Sequence, residues 1–327
     1  MEEKRPRGLR ALANMCGNAG MLVVFCALFA GVSIFVPSFL TPFNMKALAV
    51  SVATVGMVSC TMLFCLASGH FDLSVETILS MSGVLAAVVV AFTGNALLGV
   101  FAGIAAGGIV GAVNGVVIAK FKINALITTL ATMQIVKGLG YLICKGEAVS
   151  VGNESFFLLG TSALCGIPTP VWITAFCFIF FGVLLNKTVF GRHTLAIGGN
   201  REAVRLAGIN VFKTQFGIFL MQGFVAGFAG VIVASKMTSG QPKPPEGFAL
   251  DVISACVLGG VSLSGGVGTM TGAIVGVLIM GTVANAMNLL NIDTFYQYVV
   301  RGSILLAAVL FDKYGQSRKG KRIGHAS

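Results

Sequence analysis

The chain has 327 residues, 56% hydrophobic and only 10% charged, where a soluble domain carries about 25% charged residues. That leaves too little polar surface to cover a water-soluble globule and excludes an ordinary soluble domain. The formal charge of +11 raises nucleic acid as a partner, but the Lys and Arg gather at the ends of apolar runs and not on a soluble face, which excludes nucleic acid and fits a positive-inside membrane protein drawn to anionic lipid.

Apolar runs of roughly 20 residues recur and read as transmembrane helices. The runs lack the apolar/polar alternation of barrel strands, so helices must satisfy the backbone in lipid. Residues 1–19 form a tail with Lys4, Arg5, Arg7 and Arg10. The run Gly20–Phe39 is longer than a signal-peptide core and lacks a small-x-small cleavage site, so it reads as an uncleaved first helix with its N-terminus inside. Pro37 and Pro42 bracket its exit.

The second span, 45–67, runs into Ser68-Gly69-His70-Phe71-Asp72-Leu73-Ser74-Val75-Glu76, followed at once by the third, 77–93. Gly94-Asn95 makes a turn. The fourth span, 96–119, ends at Lys120 and Lys122, and the fifth, 124–143, ends near Lys145. A polar loop, 145–169, leads to the sixth span, 171–185. Next comes the longest strongly polar interior segment, Asn186–Lys213, with five Lys/Arg against Glu202 alone. The seventh span, 214–235, is followed by the loop Gly240–Glu246 and a short eighth segment from Asp251, broken by the Gly-rich stretch Gly259–Gly268. The ninth span is 270–290 and the tenth 296–311. A basic tail, 313–327, holds Lys313, Arg318, Lys319, Lys321 and Arg322.

The expected fold is therefore an all-α polytopic membrane protein of about ten transmembrane helices. Both termini are cytoplasmic, one transmembrane domain covers 20–312, and helices are interrupted near 68–77 and 259–268. This count puts sixteen of the 22 Lys/Arg inside; shifting it by one span places the long loop or a terminus outside, against the positive-inside rule.

Within the fourth span Gly99, Gly103, Gly107, Gly111 and Gly115 recur every four residues, a ridge that lets another backbone approach closely. Gly223, Gly227 and Gly230 repeat the device more weakly in the seventh. No catalytic constellation is present: the three His are scattered, Gly266-x-Gly268 misses the dinucleotide spacing, and neither a P-loop nor a CxxC pair occurs. No metal or cofactor site is expected. Cys144 and Cys165 flank one loop, which leaves a pairing open. Polar residues inside the spans are expensive and so face a partner helix or a path. Asp72, Ser74, Asn114, Gln134, Asn285 and Asn288 are the candidates for a translocation path, and as mostly uncharged groups they suit a hydroxyl-rich solute better than an ion. Lys137 and Arg301 read as lying near outer span ends or snorkelling.

In the long loop, Gly198-Gly199-Asn200 reads as a turn, Asn200 as the N-cap of a short helix Arg201–Ala207, and Gly208 as its end. The loop residues Gly191, Arg192, Ala196, Gly198, Asn200, Ala203, Arg205 and Gly208 resemble the coupling loop of permease subunits in the ribose/arabinose/galactose class of bacterial ABC sugar importers. Asp72-Leu73-Ser74-Val75 and Val257–Gly268 resemble the same class, and the likeness spans about residues 20–314. Ile123–Leu139, Met237–Pro242 and Asn285–Gly302 are most similar to its arabinose branch. One departure stands out: where the class commonly has Gly-Gly-Ile-Asp-Leu-Ser-Val-Gly, this chain has His70, Phe71 and Glu76 in place of Gly, Ile and Gly. The resemblance implies a multi-pass permease of the bacterial inner membrane that moves a monosaccharide and has no ATPase of its own. It implies three protein partners: a cytoplasmic ATP-binding subunit docked on the long loop, a periplasmic sugar-binding protein and a second permease copy. An ion-coupled secondary transporter is the alternative, disfavoured by the scarcity of acids within the spans; a membrane enzyme lacks a nucleophile, metal set or acid–base pair.

Overall fold

The computed structural model describes residues 7–324; Lys4 and Arg5 of the predicted tail and residues 325–327 lie outside the described residues. Helix α1 (Arg7–Phe35) is followed by α2 (Pro42–Ala67), where Pro42 takes the first turn and Thr41 caps the Asn44 N–H. Helix α3 (Val75–Thr93) stops at Gly94, whose φ of +68° suits glycine. Helices α4 (Ala96–Ala119) and α5 (Ala125–Cys144) are capped by Asn95 and Asn124.

The predicted polar loop 145–169 contains more structure than its composition suggests. It holds β1 (Val149–Ser150), α6 (Glu154–Thr161), β2 (Ala163–Leu164) and β3 (Ile167–Pro168). Asn153 starts α6 by accepting from the Phe156 N–H and donates its amide to the Gly94 carbonyl, 2.7 Å away. Cys144 and Cys165 are both free thiols. Helix α7 (Thr169–Lys187) leads into α8 (Val189–Gly199) and α9 (Arg201–Leu206). Helix α10 (Val211–Met237), strand β4 (Ser239–Gly240), α11 (Phe248–Leu258), α12 (Met270–Leu289) and α13 (Thr294–Gly324) complete the chain. Strand β4 pairs antiparallel with β1, and β2 with β3, in two short ribbons.

Among the described residues seven helices (α2, α3, α4, α5, α7, α10 and α12) are long and apolar enough to cross a membrane, and 20–35, 248–258 and 294–310 are shorter apolar helices. The protein is an all-α polytopic membrane protein. Its axis is α2, buried at every residue from 56 to 68 and surrounded by α7, α10, α11 and α12. Leu22, Val23 and Phe35 of α1, Leu97 and Phe101 of α4, and Phe176, Ile179 and Val183 of α7 stay exposed on the outer faces, as lipid requires.

The glycine row of α4 lies on α3 at Gly99 and Gly103 and on α10 from Gly103 onward. A Cβ at Gly107 would stand 2.8 Å from the Gly227 Cα and overlap the Gly223 carbonyl; one at Gly111 would reach the Gly223 Cα at 3.0 Å and overlap the Phe219 carbonyl. The two helices touch backbone to backbone, the contact that replaces the hydrophobic effect between helices in lipid.

Two elements begin partway through the bundle. Gly140 of α5 lies against Met81 of α3, fifteen residues into one helix and six into the other. At 1.5 Å per residue, α3 starts about 14 Å further along than the parallel α5. The chain from Gly69 climbs that distance in extended form. On the opposite side of α3, Gly240 packs on Val84 and Ala87, while the Ala249 N–H donates to Glu76 Oε2. The segment 241–247 therefore descends roughly 12 Å along α3 before α11 begins. Helix α11 is only about 16 Å long, half of a bilayer core. The eighth segment expected from Asp251 is thus a half-length helix fed by a descending polar loop, because Pro242, Pro244 and Pro245 forbid helix there.

The α4–α10 contact yields a stability test. Gly107→Leu would force two backbones apart and is expected to cost about 1–3 kcal/mol or more, seen as a lower unfolding temperature in detergent or loss of membrane-inserted protein. Gly138→Leu on α5, with nothing within 4 Å of its Cβ position, is expected to change stability by less than about 1 kcal/mol.

Candidate functional site

The two helix breaks and the long polar segment meet at one end of the bundle. Helix α2 stops at Ser68, and Gly69 (φ +80°) turns the chain. Helix α11 stops at Gly259, and Gly260, Gly265 and Gly266 all take positive φ. The Gly266 N–H donates to the Ala67 carbonyl at 2.8 Å, so one break caps the helix end of the other. Helix α8 lies on this crossing. A Cβ on Gly198 would overlap both the Ala67 carbonyl and the Gly266 nitrogen, and a Cβ on Gly265 would stand 2.8 Å from the Gly198 Cα and 3.0 Å from the Gly69 nitrogen. Three backbones share a space that admits no side chain.

This corrects the reading of Gly198-Gly199-Asn200 as a turn. Gly198 and Gly199 are the last two residues of α8, and Gly198 serves close packing, a tertiary demand that a local turn signal mimics. The cap itself is present: Asn200 Oδ1 accepts from the Ala203 N–H at 2.9 Å, α9 runs to Leu206, and Gly208 (φ +79°) ends it. Gly191 is buried against Leu185. Arg192, Ala196, Ala203 and Arg205 face outward, with Arg205 paired to Glu202 at 2.7 Å. Val204 is buried, whereas Leu206 is 78% exposed at the tip of the element.

A directed hydrogen-bond chain joins α9 to the first break. Arg201 Nη2 donates to Gln215 Oε1 (3.2 Å), Gln215 Nε2 donates to His70 Nε2 (3.1 Å), and His70 Nδ1 is 3.1 Å from Ser68 Oγ, which donates to the Cys65 carbonyl. With Nε2 accepting, the proton of the neutral ring sits on Nδ1 and every link has one donor and one acceptor. His70 lies in the connection between α2 and α3; burial, then the nearby Arg201 charge, lowers its pKa to about 4, so the ring is neutral at physiological pH. His70, the departure noted in the sequence, is thus the residue that ties the break to α9. Its ring edge also meets Phe219.

The expected path residues fall into separate groups. Asp72, Ser74 and Asn114 come together, fully buried: Asp72 Oδ1 accepts from the Ser74 N–H (2.9 Å) and Oγ–H (2.5 Å), and Asn114 Nδ2 donates to Ser74 Oγ (2.9 Å). This brace pins the extended chain of the first break to α4. Gln134 lies apart, exposed on α5 with Lys137 one turn away. Asn285 forms a reciprocal amide pair with Asn44 (2.9 Å each way), and Asn288 accepts from Gln297. Sequence reasoning missed one pair. Arg301 neither sits at a span end nor snorkels; its Nη1 donates to Asp251 Oδ2 at 2.8 Å, tying α13 to the start of α11. The signal was there, an acid and a base both within apolar segments, but their separation of 50 residues hid the pairing.

The comparisons with known proteins add the family. The family model described as "Branched-chain amino acid transport system / permease component" matches residues 44–309. The chain is 57% identical over 314 residues to the L-arabinose transport system permease protein AraH of Escherichia coli K12, covering 96% of each chain. It is 51% identical over 306 residues to the L-arabinose ABC transporter permease protein AraH of Azospirillum brasilense, covering 94% of this chain and 90% of the relative. It is 41% identical over 284 residues to the ribose import permease protein RbsC of Bacillus subtilis, covering 86% and 88%. No solved structure gives a significant match. A membrane bundle with two opposed helix breaks and a capped helical element upon them, matched over 44–309, belongs to the family of these transport-system permease components.

Proposed function

We propose that the chain is the membrane-spanning subunit of an ABC importer that carries a monosaccharide, L-arabinose, inward across the bacterial inner membrane. In this reading ten segments lie in the membrane domain 20–312, with α11 reaching only half-way. The tails 1–19 and 313–327 and the 186–213 segment are cytoplasmic. A separate ATP-binding subunit supplies the energy, a periplasmic sugar-binding protein delivers the sugar, and a second permease copy completes the path. The relatives' high identity supports the sugar; the carrying observation for the mechanism is the α8–α9 element. It presents Leu206 to the outside and touches both helix breaks on the inside.

Force applied at that element has a short route inward. Gly198 bears on the Ala67–Gly266 crossing, and Arg201 reaches His70 through Gln215. The outward face with Ala203, Arg205 and Leu206 is the docking surface in this reading, and Gly191, Arg192 and Ala196 of α8 carry the load along it. The path itself passes the exposed Gln134 face of α5. Asp72, Ser74 and Asn114 brace the moving break, and Asn285 and Asn288 hold α12 to α2 and α13.

Uptake of labelled L-arabinose into proteoliposomes is expected only when the ATP-binding subunit, the sugar-binding protein and ATP are all present; uptake by this chain alone under an ion gradient would overturn the proposal. Leu206→Asp and Gly208→Asp are expected to leave the permease inserted but to reduce uptake and binding-protein-stimulated ATP hydrolysis at least tenfold, read by transport and phosphate-release assays on the same vesicles. Gln215→Leu cuts the chain to His70 and is expected to lower uptake per ATP several-fold. The His70 link also sets a pH dependence. Its folded pKa of about 4 lies below the ordinary 6.5, so its contribution is complete above pH 6.5 and is lost as pH falls toward 4, because the unfolded chain takes the proton first. The unfolding temperature in detergent is expected to fall over that window less in His70→Phe than in the unmodified protein.

A further inference from the structure

The descending segment between β4 and α11 borders an open cavity of about 380 Å³ walled by α3, α10 and α13. Ser80 on its α3 wall lies thirteen residues, about 20 Å, from the end of that helix at Thr93, so the cavity sits deep in the bundle. Its polar lining is Ser80, Ser239, Gln241, Lys243, Glu246 and Tyr298. Lys243 Nζ lies 3.4 Å from Glu246 Oε1, and Tyr298 OH donates to Glu246 Oε2 at 3.2 Å. Buried Pro242 and Pro244 anchor the segment, while Lys243 and Glu246 remain largely exposed between and beyond them.

Charged side chains left open at membrane depth are inconsistent with lipid; irregular backbone and exposed charge there require a water-filled space. The contents of this space are specific. A carboxylate accepts from neighbouring hydroxyls, an ammonium donates to a hydroxyl or ring oxygen, an amide does both, and a phenol offers a flat apolar face as well as its OH. The acid and base neutralise each other, so the site carries no net preference for an ion. The volume is at the low end for small-molecule pockets and suits one small polyol. Three prolines within four residues fix the donors and acceptors in advance, which lowers the ordering cost of binding.

Resting on the permease reading above, we propose that Glu246, Lys243 and Tyr298 form a transient binding station for one monosaccharide part-way along its path, with Gln241 and Ser80 completing the hydroxyl contacts. The station is weak by design, because a solute in transit must leave as readily as it enters. Its residues lie outside the α8–α9 element and outside both helix breaks.

The test uses the complete importer in proteoliposomes. Glu246→Gln and Tyr298→Phe change only exposed polar atoms, so both variants are expected to insert and fold. Uptake of labelled L-arabinose at saturating sugar-binding protein is expected to fall at least fivefold in each, while ATP hydrolysis stimulated by that protein stays within twofold of the unmodified level. Unchanged uptake in both variants would overturn the station and leave the permease reading standing. A parallel loss of uptake and stimulated hydrolysis would overturn it in favour of a structural role for the segment. Absence of uptake by the unmodified complex would overturn the permease reading itself, and the station with it.

Discussion

Backbone hydrogen bonding in a medium without water governs this structure. A helix can be broken inside a membrane only where the freed N–H and C=O groups find partners and protein covers them. Here the second break serves the first. The Gly266 N–H satisfies the Ala67 carbonyl, and the two chains come close enough because Gly69, Gly265 and Gly198 present no side chains. The gap between α2 and α3, the end of α11 and the placement of α8 all follow from that crossing.

The same economy of side chains runs through the bundle. Lipid supplies no hydrophobic reason for helices to associate, so α4 and α10 gain their contact from packed backbones at Gly107, Gly111, Gly223 and Gly227. Polar links then fix register: Asn44 with Asn285, Gln297 with Asn288, Asp251 with Arg301. The bundle is thus stiff along its glycine seams. The half-length α11 ends at the crossing beneath α8, and α3 begins beyond the extended segment that leaves it, which is where an external push would have most effect.

His70 illustrates how a departure from a family pattern acquires meaning. A small residue at that position would end the hydrogen-bond chain at Gln215. The imidazole extends it to Ser68 and the end of α2, and burial keeps the ring neutral so that both nitrogens are used. Glu76, another departure, accepts from the Ala249 N–H at the start of α11, where a carboxylate complements the helix dipole. Both substitutions place polar groups at breaks that smaller residues would leave to backbone alone.

The sequence by itself determined the membrane class, the span limits of α4 and α5 to within a residue, the glycine ridge and the Asn200 cap, because each rests on local periodicity or on a side chain bonding to its own neighbours. It also marked both helix breaks, since Gly69 and Gly259–Gly268 have no stable place inside a helix. Only the tertiary structure decided what those glycines are for. Gly198 looked like a turn and is a contact; the loop 145–169 looked irregular and contains α6; Arg301 looked like a snorkelling end and pairs with Asp251. Likewise nothing local states that residues 241–247 descend beside α3. Close approach and pairing across 50 to 250 residues depend on which helices lie side by side, and in a bundle of similar apolar helices that is set by the fit of their surfaces, which no single segment contains.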